Sequence, residues 1–184
     1  MVYVLLGEGF EEAEALVPVD LLRRAGVAVK LVALKGTAVT GGHAITVSCD
    51  CALQDVDEQG AKMIVLPGGL GGVEAISADE RALGLVQRCA DRGAYIAAIC
   101  AAPTILARLG LLDRRKAVVY PGMEDQMLSA VVQPGKAVVV DGHLITGEAA
   151  GSAFDFGLKL VETLTDKETA EAVRAGVHYR PCKA

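Results

Sequence analysis

The sequence predicts an α/β fold: a mostly parallel sheet covered by helices on both faces. Two observations carry that expectation. Strand-like and helix-like segments alternate along the chain, and the inner strands read as short, continuous apolar runs such as Met63-Ile64-Val65-Leu66.

In chain order, Val2–Leu6 is the first strand, and Gly7-Glu8-Gly9 leads from it into an apolar, glutamate-led helix over residues 10–25. Residues 27–33 form the next strand, and two short strands follow near 37–40 and 43–48. Met63–Leu66 is a buried strand that stops at Pro67-Gly68-Gly69. Residues 79–91 are helical, Tyr95–Ile99 is another buried strand, and 101–109 are helical again. Residues 138–140 and 143–146 flank Asp141-Gly142, a pair suited to the left-handed angles of a tight turn, and so read as a β-hairpin. Helices over 151–164 and 166–175 complete the pattern. No repeat, linker or low-complexity stretch interrupts it, and 184 residues fit a single domain over 1–184.

Composition narrows the function classes. With 52% hydrophobic and 22% charged residues, the chain can bury a core. A formal net charge of -5 argues against nucleic acid or an anionic membrane as the main partner. Arg114-Arg115-Lys116 is the one basic run and reads as a solvated loop. The opening residues lack a basic region and a small-residue cleavage site, so they read as a strand rather than a signal peptide. The longest apolar run, near 94–107, contains Pro103 and is too short to span a bilayer. A reducing, cytoplasmic location is the expectation. The five cysteines are Cys49, Cys51, Cys89, Cys100 and Cys182, and no spacing among them forms a disulfide framework or a zinc site. Cys49 and Cys51 would share a face if both lay in one strand, for a metal or redox role or simply as small buried hydrophobes.

In a fold of this kind the ligand site lies outside the carboxyl ends of the strands. That rule selects the loop before Glu11, the loop at Pro67-Gly68-Gly69, and Cys100. Cys100 is the strongest candidate. Tyr95–Ile99 runs straight into Cys100-Ala101-Ala102-Pro103, a strand turning into a helix at a nucleophile among small neighbours. Pro103 suits a first helical turn, and a thiol near a helix N-terminus is expected to favour the thiolate. A buried structural cysteine is the plain alternative.

Glu11 and Glu12 fit the acidic preference of a helix N-terminus and need no other role. Glu14 lies in an apolar stripe with Phe10, Val17, Pro18 and Leu21, where a carboxyl has its pKa raised and can exchange protons with a thiolate. Periodicity alone does not separate Glu14 from Glu11. The glycines of Pro67-Gly68-Gly69-Leu70-Gly71-Gly72 suit either an oxyanion-binding backbone or a tight strand-to-helix turn; the Lys-Ser/Thr of a phosphate loop is absent. His43, His143 and His178 each read as structural or surface residues, which leaves a Cys-His hydrolase without its base.

Together these residues resemble the DJ-one family of the ThiJ/PfpI superfamily. The matching pieces are Gly9-Phe10-Glu11-Glu12-Ala13-Glu14, Pro18-Val19-Asp20-Leu21-Leu22-Arg23-Arg24-Ala25-Gly26, Val65-Leu66-Pro67-Gly68-Gly69, Ala98-Ile99-Cys100-Ala101-Ala102-Pro103 and Phe154-Asp155-Phe156-Gly157-Leu158-Lys159-Leu160-Val161-Glu162. The resemblance implies a flavodoxin-like, doubly wound fold and a homodimer. It implies that Cys100 is a nucleophilic, oxidation-sensitive cysteine and that Glu14 is the buried acid bonded to it. It also implies that Gly69 and Ala101 supply backbone N–H groups to the reacting oxygen, beside a pocket near Gly68.

Three departures stand out. Relatives often carry His before the proline of Val118-Val119-Tyr120-Pro121, whereas this chain has Tyr120, and a phenol with a pKa of about 10 is a poor base. The peptidase branch often has His directly after the cysteine, where this chain has Ala101. Where many relatives have Gly-Pro-Gly-Thr lining the site, this chain has Ala149 and Ala150 within Gly147-Glu148-Ala149-Ala150-Gly151-Ser152. The implied activity is a cofactor-free, metal-free cysteine enzyme acting on small dicarbonyls or on glycated protein, of glyoxalase III or deglycase type. The alternatives are an oxidative-stress sensor or chaperone working through Cys100 and, against the missing histidine, a peptidase or amidotransferase.

Overall fold

The apolar runs become the strands of a seven-stranded sheet in the computed structural model, which describes residues 1–180. Cys182 lies outside the described residues. The chain starts with β1 (Val2–Leu6), α1 (Glu12–Arg24) and β2 (Val29–Ala33), then makes the short strands β3 (Ala38–Thr40), β4 (Thr46–Ser48) and β5 (Cys51–Ala52). It continues through β6 (Met63–Leu66), α2 (Leu70–Ser77), α3 (Glu80–Asp91), β7 (Tyr95–Ile99) and α4 (Pro103–Arg108). The last part is β8 (Lys116–Ala117), β9 (Val131–Val132), β10 (Val138–Asp141), β11 (Leu144–Gly147), α5 (Ala153–Leu164) and α6 (Lys167–Gly176).

The sheet order is β10-β11-β7-β6-β1-β2-β5, and every pairing is parallel except β10 with β11 at the edge. The order reverses at β1, which has β6 on one side and β2 on the other. A crevice opens at such a reversal, outside the strand ends. Here those ends carry Gly7, Pro67 and Cys100.

Side chains alternate across the strands and build two cores. Tyr3, Leu5, Ile64, Leu66, Ile96 and Ala98 face α2, α3 and α4, packing with residues such as Ile76, Leu85 and Leu106. Val2, Val4, Leu6, Val65, Ala97 and Ile99 face α1, α5 and α6, packing with Leu22, Phe156 and Leu160. Both faces of the inner strands are therefore dry, and this is why they read as unbroken apolar runs. Acidic residues at the start of α1 and Arg23 and Arg24 in its last turn complement the helix dipole.

The structure corrects several expectations. In the glycine-rich stretch after Pro67, Gly68 and Gly69 make the strand-to-helix turn that the sequence allowed, and Leu70 begins the helix α2, which it had not marked. Its glycines permit close approach: a Cβ on Gly72 would lie 2.8 Å from the Phe10 Cα, and one on Gly7 2.7 Å from the Ala75 Cβ. Asp141 ends β10 instead of opening the turn, which is made by Gly142 and His143. Its carboxylate accepts hydrogen bonds from the Lys116 N–H (2.8 Å) and from Arg115 Nη1 (3.1 Å), so it is fixed to the strand. The same contacts make Arg115 and Lys116 an anchor rather than a free loop. Cys49 and Cys51 do not share a face: Cys49 packs toward the α1 side and Cys51 toward the α3 side. Asp50 bends the chain between them, accepting from the Leu31 N–H (2.7 Å) and from Arg23 (2.9 Å).

Candidate active site

Cys100 occupies the turn between β7 and α4 with φ +65°, a left-handed angle that a cysteine rarely adopts. Its neighbours hold it there. The Cys100 N–H donates to the Gly147 carbonyl (3.0 Å), and its own carbonyl accepts from the Tyr120 N–H (2.8 Å). The buried Thr104 hydroxyl donates to the Ala101 carbonyl (2.7 Å) and closes the next turn. Such strain costs about 1–3 kcal/mol and is concentrated at functional positions.

Glu14, on the first turn of α1, is fully buried and reaches across to the same point. Its Oε2 accepts from the Gly68 N–H (2.8 Å), while Oε1 has no partner among the described residues. Glu14 and the Cys100 side chain converge on Gly68, close enough for each to shift the other's protonation. Gly68 is the spacer between them. A Cβ there would stand 2.5 Å from Glu14 Oε2 and 2.7 Å from the Cys100 Cβ, so only glycine fits. Gly69, at φ +82°, begins α2.

Burial pushes the Glu14 carboxyl up to about 7, against the opposing hydrogen bonds from Cys100 and Gly68; the charge of Glu11 adds to the rise. Burial, followed by the charge of Glu14 and the hydrogen bond to it, pushes the Cys100 thiol up to about 12. Hydrogen bonds from the Gly69 and Ala101 amides pull it the other way. The expected low thiol pKa is therefore corrected. Cys100 precedes the six-residue α4 by three positions, and desolvation outweighs the dipole. With both groups pushed up, the thiol holds its proton more tightly than Glu14 does.

The thiol opens into a cleft of about 540 Å³ lined by Glu11, Gly69, Leu70, Ala101, Tyr120 and Met123, among others. Leu70 and Tyr120 stand exposed on its rim, at 75% and 47%. Gly68 lies behind the thiol instead of on this lining, and Ala149 and Ala150 are not among the lining residues. Two cavities of comparable size border Lys35 and Arg81, and neither is lined by Cys100 or Glu14. Size does not mark the site; the paired acid and thiol do.

Glu12 has a role that sequence reasoning missed. It is buried, and its carboxylate accepts from the His43 N–H (2.8 Å), His43 Nδ1 (2.9 Å) and the Ile45 N–H (3.4 Å). Burial would raise its pKa, but the His43 side chain and these amides hold it down to about 2. Glu11, Glu12 and His43 bring three ligand-type atoms within 4.8 Å of one another. The bonds to Glu12 account for that grouping as a clamp between α1 and the β3–β4 hairpin. Glutamate followed by a glycine pair and His43 is too common a pattern to have revealed it. Cys49, pushed up to about 11 by burial, and Cys51, raised by the same cause, carry neutral thiols.

A strained cysteine at a strand-to-helix turn, paired with a buried glutamate, defines a thiol site of the nucleophile-elbow class on a doubly wound α/β fold. The model of the DJ-1/PfpI family matches residues 1–163, and the chain belongs to that family. It is 38% identical over 176 residues to protein dj-1beta of Drosophila melanogaster, covering 95% of this chain and 94% of that one. The Drosophila crystal structure superposes with a TM-score of 0.93 at 36% identity, over 97% of each chain. A protein of Pyrococcus abyssi named as a deglycase is 32% identical, over 89% of this chain and 98% of that one. Oxidized DJ-1 of Toxoplasma gondii superposes with a TM-score of 0.92 at 33% identity, over 97% of each chain. No helix among the described residues is long and apolar enough to cross a membrane.

Proposed function

We propose that this protein is a cofactor-independent cysteine enzyme acting on reactive dicarbonyls such as methylglyoxal, or on their adducts with protein amines. The observation that carries the reading is the Cys100–Glu14 pair at the floor of an open cleft. The deglycase-named relative supports the substrate class.

Glu14 takes the Cys100 proton as Sγ attacks the aldehyde carbon. The C–S bond forms, and the carbonyl electron pair moves to oxygen beside the Gly69 and Ala101 N–H groups. Glu14 returns the proton to that oxygen, giving a hemithioacetal. As a carboxylate again, it removes the hydrogen from the former aldehyde carbon and delivers it to the adjacent carbon through an enediol, while the hydroxyl proton of the first carbon passes to the neighbouring oxygen. The resulting thioester is cleaved by water, giving lactate and the free thiol. The sum is methylglyoxal plus water to lactate, an internal redox exchange between two carbons. A carboxyl near 7 populates both forms at neutral pH, as a proton shuttle requires. With an adduct, the same thiol attacks the carbon bearing the amine, and the amine leaves with the proton from Glu14.

The unpartnered Glu14 Oε1 favours a second reading, oxidation sensing. Peroxide would convert the thiolate to a sulfenate with loss of water, and a second equivalent would give a sulfinate whose oxygen a protonated Glu14 can bond. The Toxoplasma relative described as oxidized supports it. On either reading the protein works in the cytoplasm as a homodimer, without a nucleic acid or membrane partner. Light scattering on the purified chain tests the dimer.

The deciding measurement is glutathione-free conversion of methylglyoxal, with lactate quantified, by the wild type and Cys100→Ser. Lactate from the wild type alone is the expected result. No lactate from folded, reduced wild type would sink the enzyme reading in favour of the sensor. Peroxide oxidation spread evenly over the cysteines, read by mass spectrometry, would count against the sensor.

A further inference from the structure

The cleft above Cys100 has a lopsided charge. Among the described residues that line it, Glu11 is the one acidic or basic side chain apart from the thiol and the Tyr120 phenol, and no described Lys or Arg borders it. Gly122, on the opposite wall, donates its N–H to Glu124 (2.9 Å), so a second carboxylate stands at that rim. Glu11 is about three-quarters buried, with 24% of its side chain exposed, which weakens solvent screening of its charge.

Its nearest cation is His43, and that partner is shared. His43 Nδ1 is 2.9 Å from Glu12 and 3.7 Å from Glu11. Even a protonated His43 between two carboxylates leaves one negative charge over, and the closer contact goes to Glu12. The charge of Glu11 also reaches the reacting pair, since it contributes to the raised pKa of Glu14.

We propose that Glu11 makes the Cys100 cleft charge-selective, favouring substrates whose reacting carbon is carried on a cationic or neutral group over those bearing a carboxylate or phosphate. Within the dicarbonyl reading on which this rests, the favoured class is the guanidinium- or ammonium-bearing adduct, then neutral methylglyoxal, with anionic aldehydes such as glyoxylate last. At the water-like dielectric of an open cleft, two units of charge difference about 6 Å from a carboxylate alter relative rates by roughly tenfold.

The test uses two methanethiosulfonate reagents of similar size, one ending in an ammonium and one in a sulfonate. Each forms a disulfide with Cys100 as methanesulfinate leaves, and the rate at that residue is read by peptide mass spectrometry. The ratio of cationic to anionic rates is normalised to a free thiol, in the wild type, Glu11→Gln and Glu11→Asp at low salt. The expected result is a wild-type ratio roughly tenfold above the free thiol. It should collapse in Glu11→Gln, survive in Glu11→Asp and shrink at high salt. A change in thiolate fraction alters both rates alike and cancels in the ratio, and loss of Glu11 makes Glu14 more anionic, which would raise the ratio, so a collapse reports on Glu11 itself. A wild-type ratio equal to that of the free thiol, or one unmoved by Glu11→Gln, overturns the proposal. These reagents report on the thiol whether or not methylglyoxal is turned over, so the absence of lactate strikes the enzyme reading and leaves this ratio to be judged alone.

Discussion

Glu12 and Glu14 are two residues apart on the first turn of α1, and their environments drive them in opposite directions. Glu14 points inward to Gly68 and Cys100, where the Gly68 N–H and the thiol do not offset full burial, and its pKa rises to about 7. Glu12 points to the β3–β4 hairpin, where two backbone amides and the His43 ring solvate the carboxylate, and its pKa falls to about 2. Glu14 lies far deeper than Glu12, and Glu12 has more donors, so depth and hydrogen bonding together separate them. One side of a single helical turn therefore becomes a proton store for a thiol, and the other becomes a clamp.

The sharpest way to break this contrast is on the Glu14 side. Glu14→Gln keeps the shape and removes the proton store, so turnover of methylglyoxal should fall by about a hundredfold or more. Thermal unfolding should show that the variant remains folded, and unchanged turnover would dismiss Glu14 as the shuttle. The pH dependence of stability separates the two carboxyls next. Glu14, with a raised pKa, contributes stability that is fully present below about 4.5 and is lost as pH rises through about 7. That loss amounts to about 3 kcal/mol at most, and urea unfolding of Glu14→Gln should lack it. Glu12 has the opposite sign: its contribution is present above 4.5 and is lost as pH falls toward 2.

Glu12→Gln should cost about 1–3 kcal/mol, because it weakens the acceptor for two amides and a histidine. It should also speed amide exchange at His43 and Ile45; protection equal to wild type would disprove the clamp. The smallest effect belongs to a third carboxylate on the same helix. Asp20 pairs with Arg24 at 2.8 Å, but both are about half exposed. Asp20→Asn should shift stability by about 0.5 kcal/mol or less, and a larger change would mean that exposure is not what weakens it.

Much of the fold was legible because the inner strands are dry on both faces, so Met63–Leu66 and Tyr95–Ile99 could not be read otherwise. The helix α2 was hidden, since Gly71 and Gly72 weaken its helical signature for the sake of contact with the loop at Gly9 and Phe10. Asp141-Gly142 was read one residue out of place because the Arg115 and Lys116 contacts that hold Asp141 in the strand come from elsewhere in the chain. Cys49 and Cys51 were assigned one face by their spacing, and the bend at Asp50 undid it.

By itself, the sequence determined the alternation of elements, the sheet they build and the placing of Cys100 at a strand end, because these follow from periodicity and small neighbours within a few residues. The family resemblance had already implied Glu14 as the acid that meets the thiol, and its apolar stripe a raised pKa; tertiary structure alone decided that Glu12 clamps a hairpin with a lowered pKa and that the thiol pKa rises. The settings of both glutamates depend on donors brought from Gly68, His43 and Ile45, more than thirty positions away in the Glu12 and Glu14 bonds to them. Local pattern carries no record of how many donors a folded chain will place around one buried carboxylate.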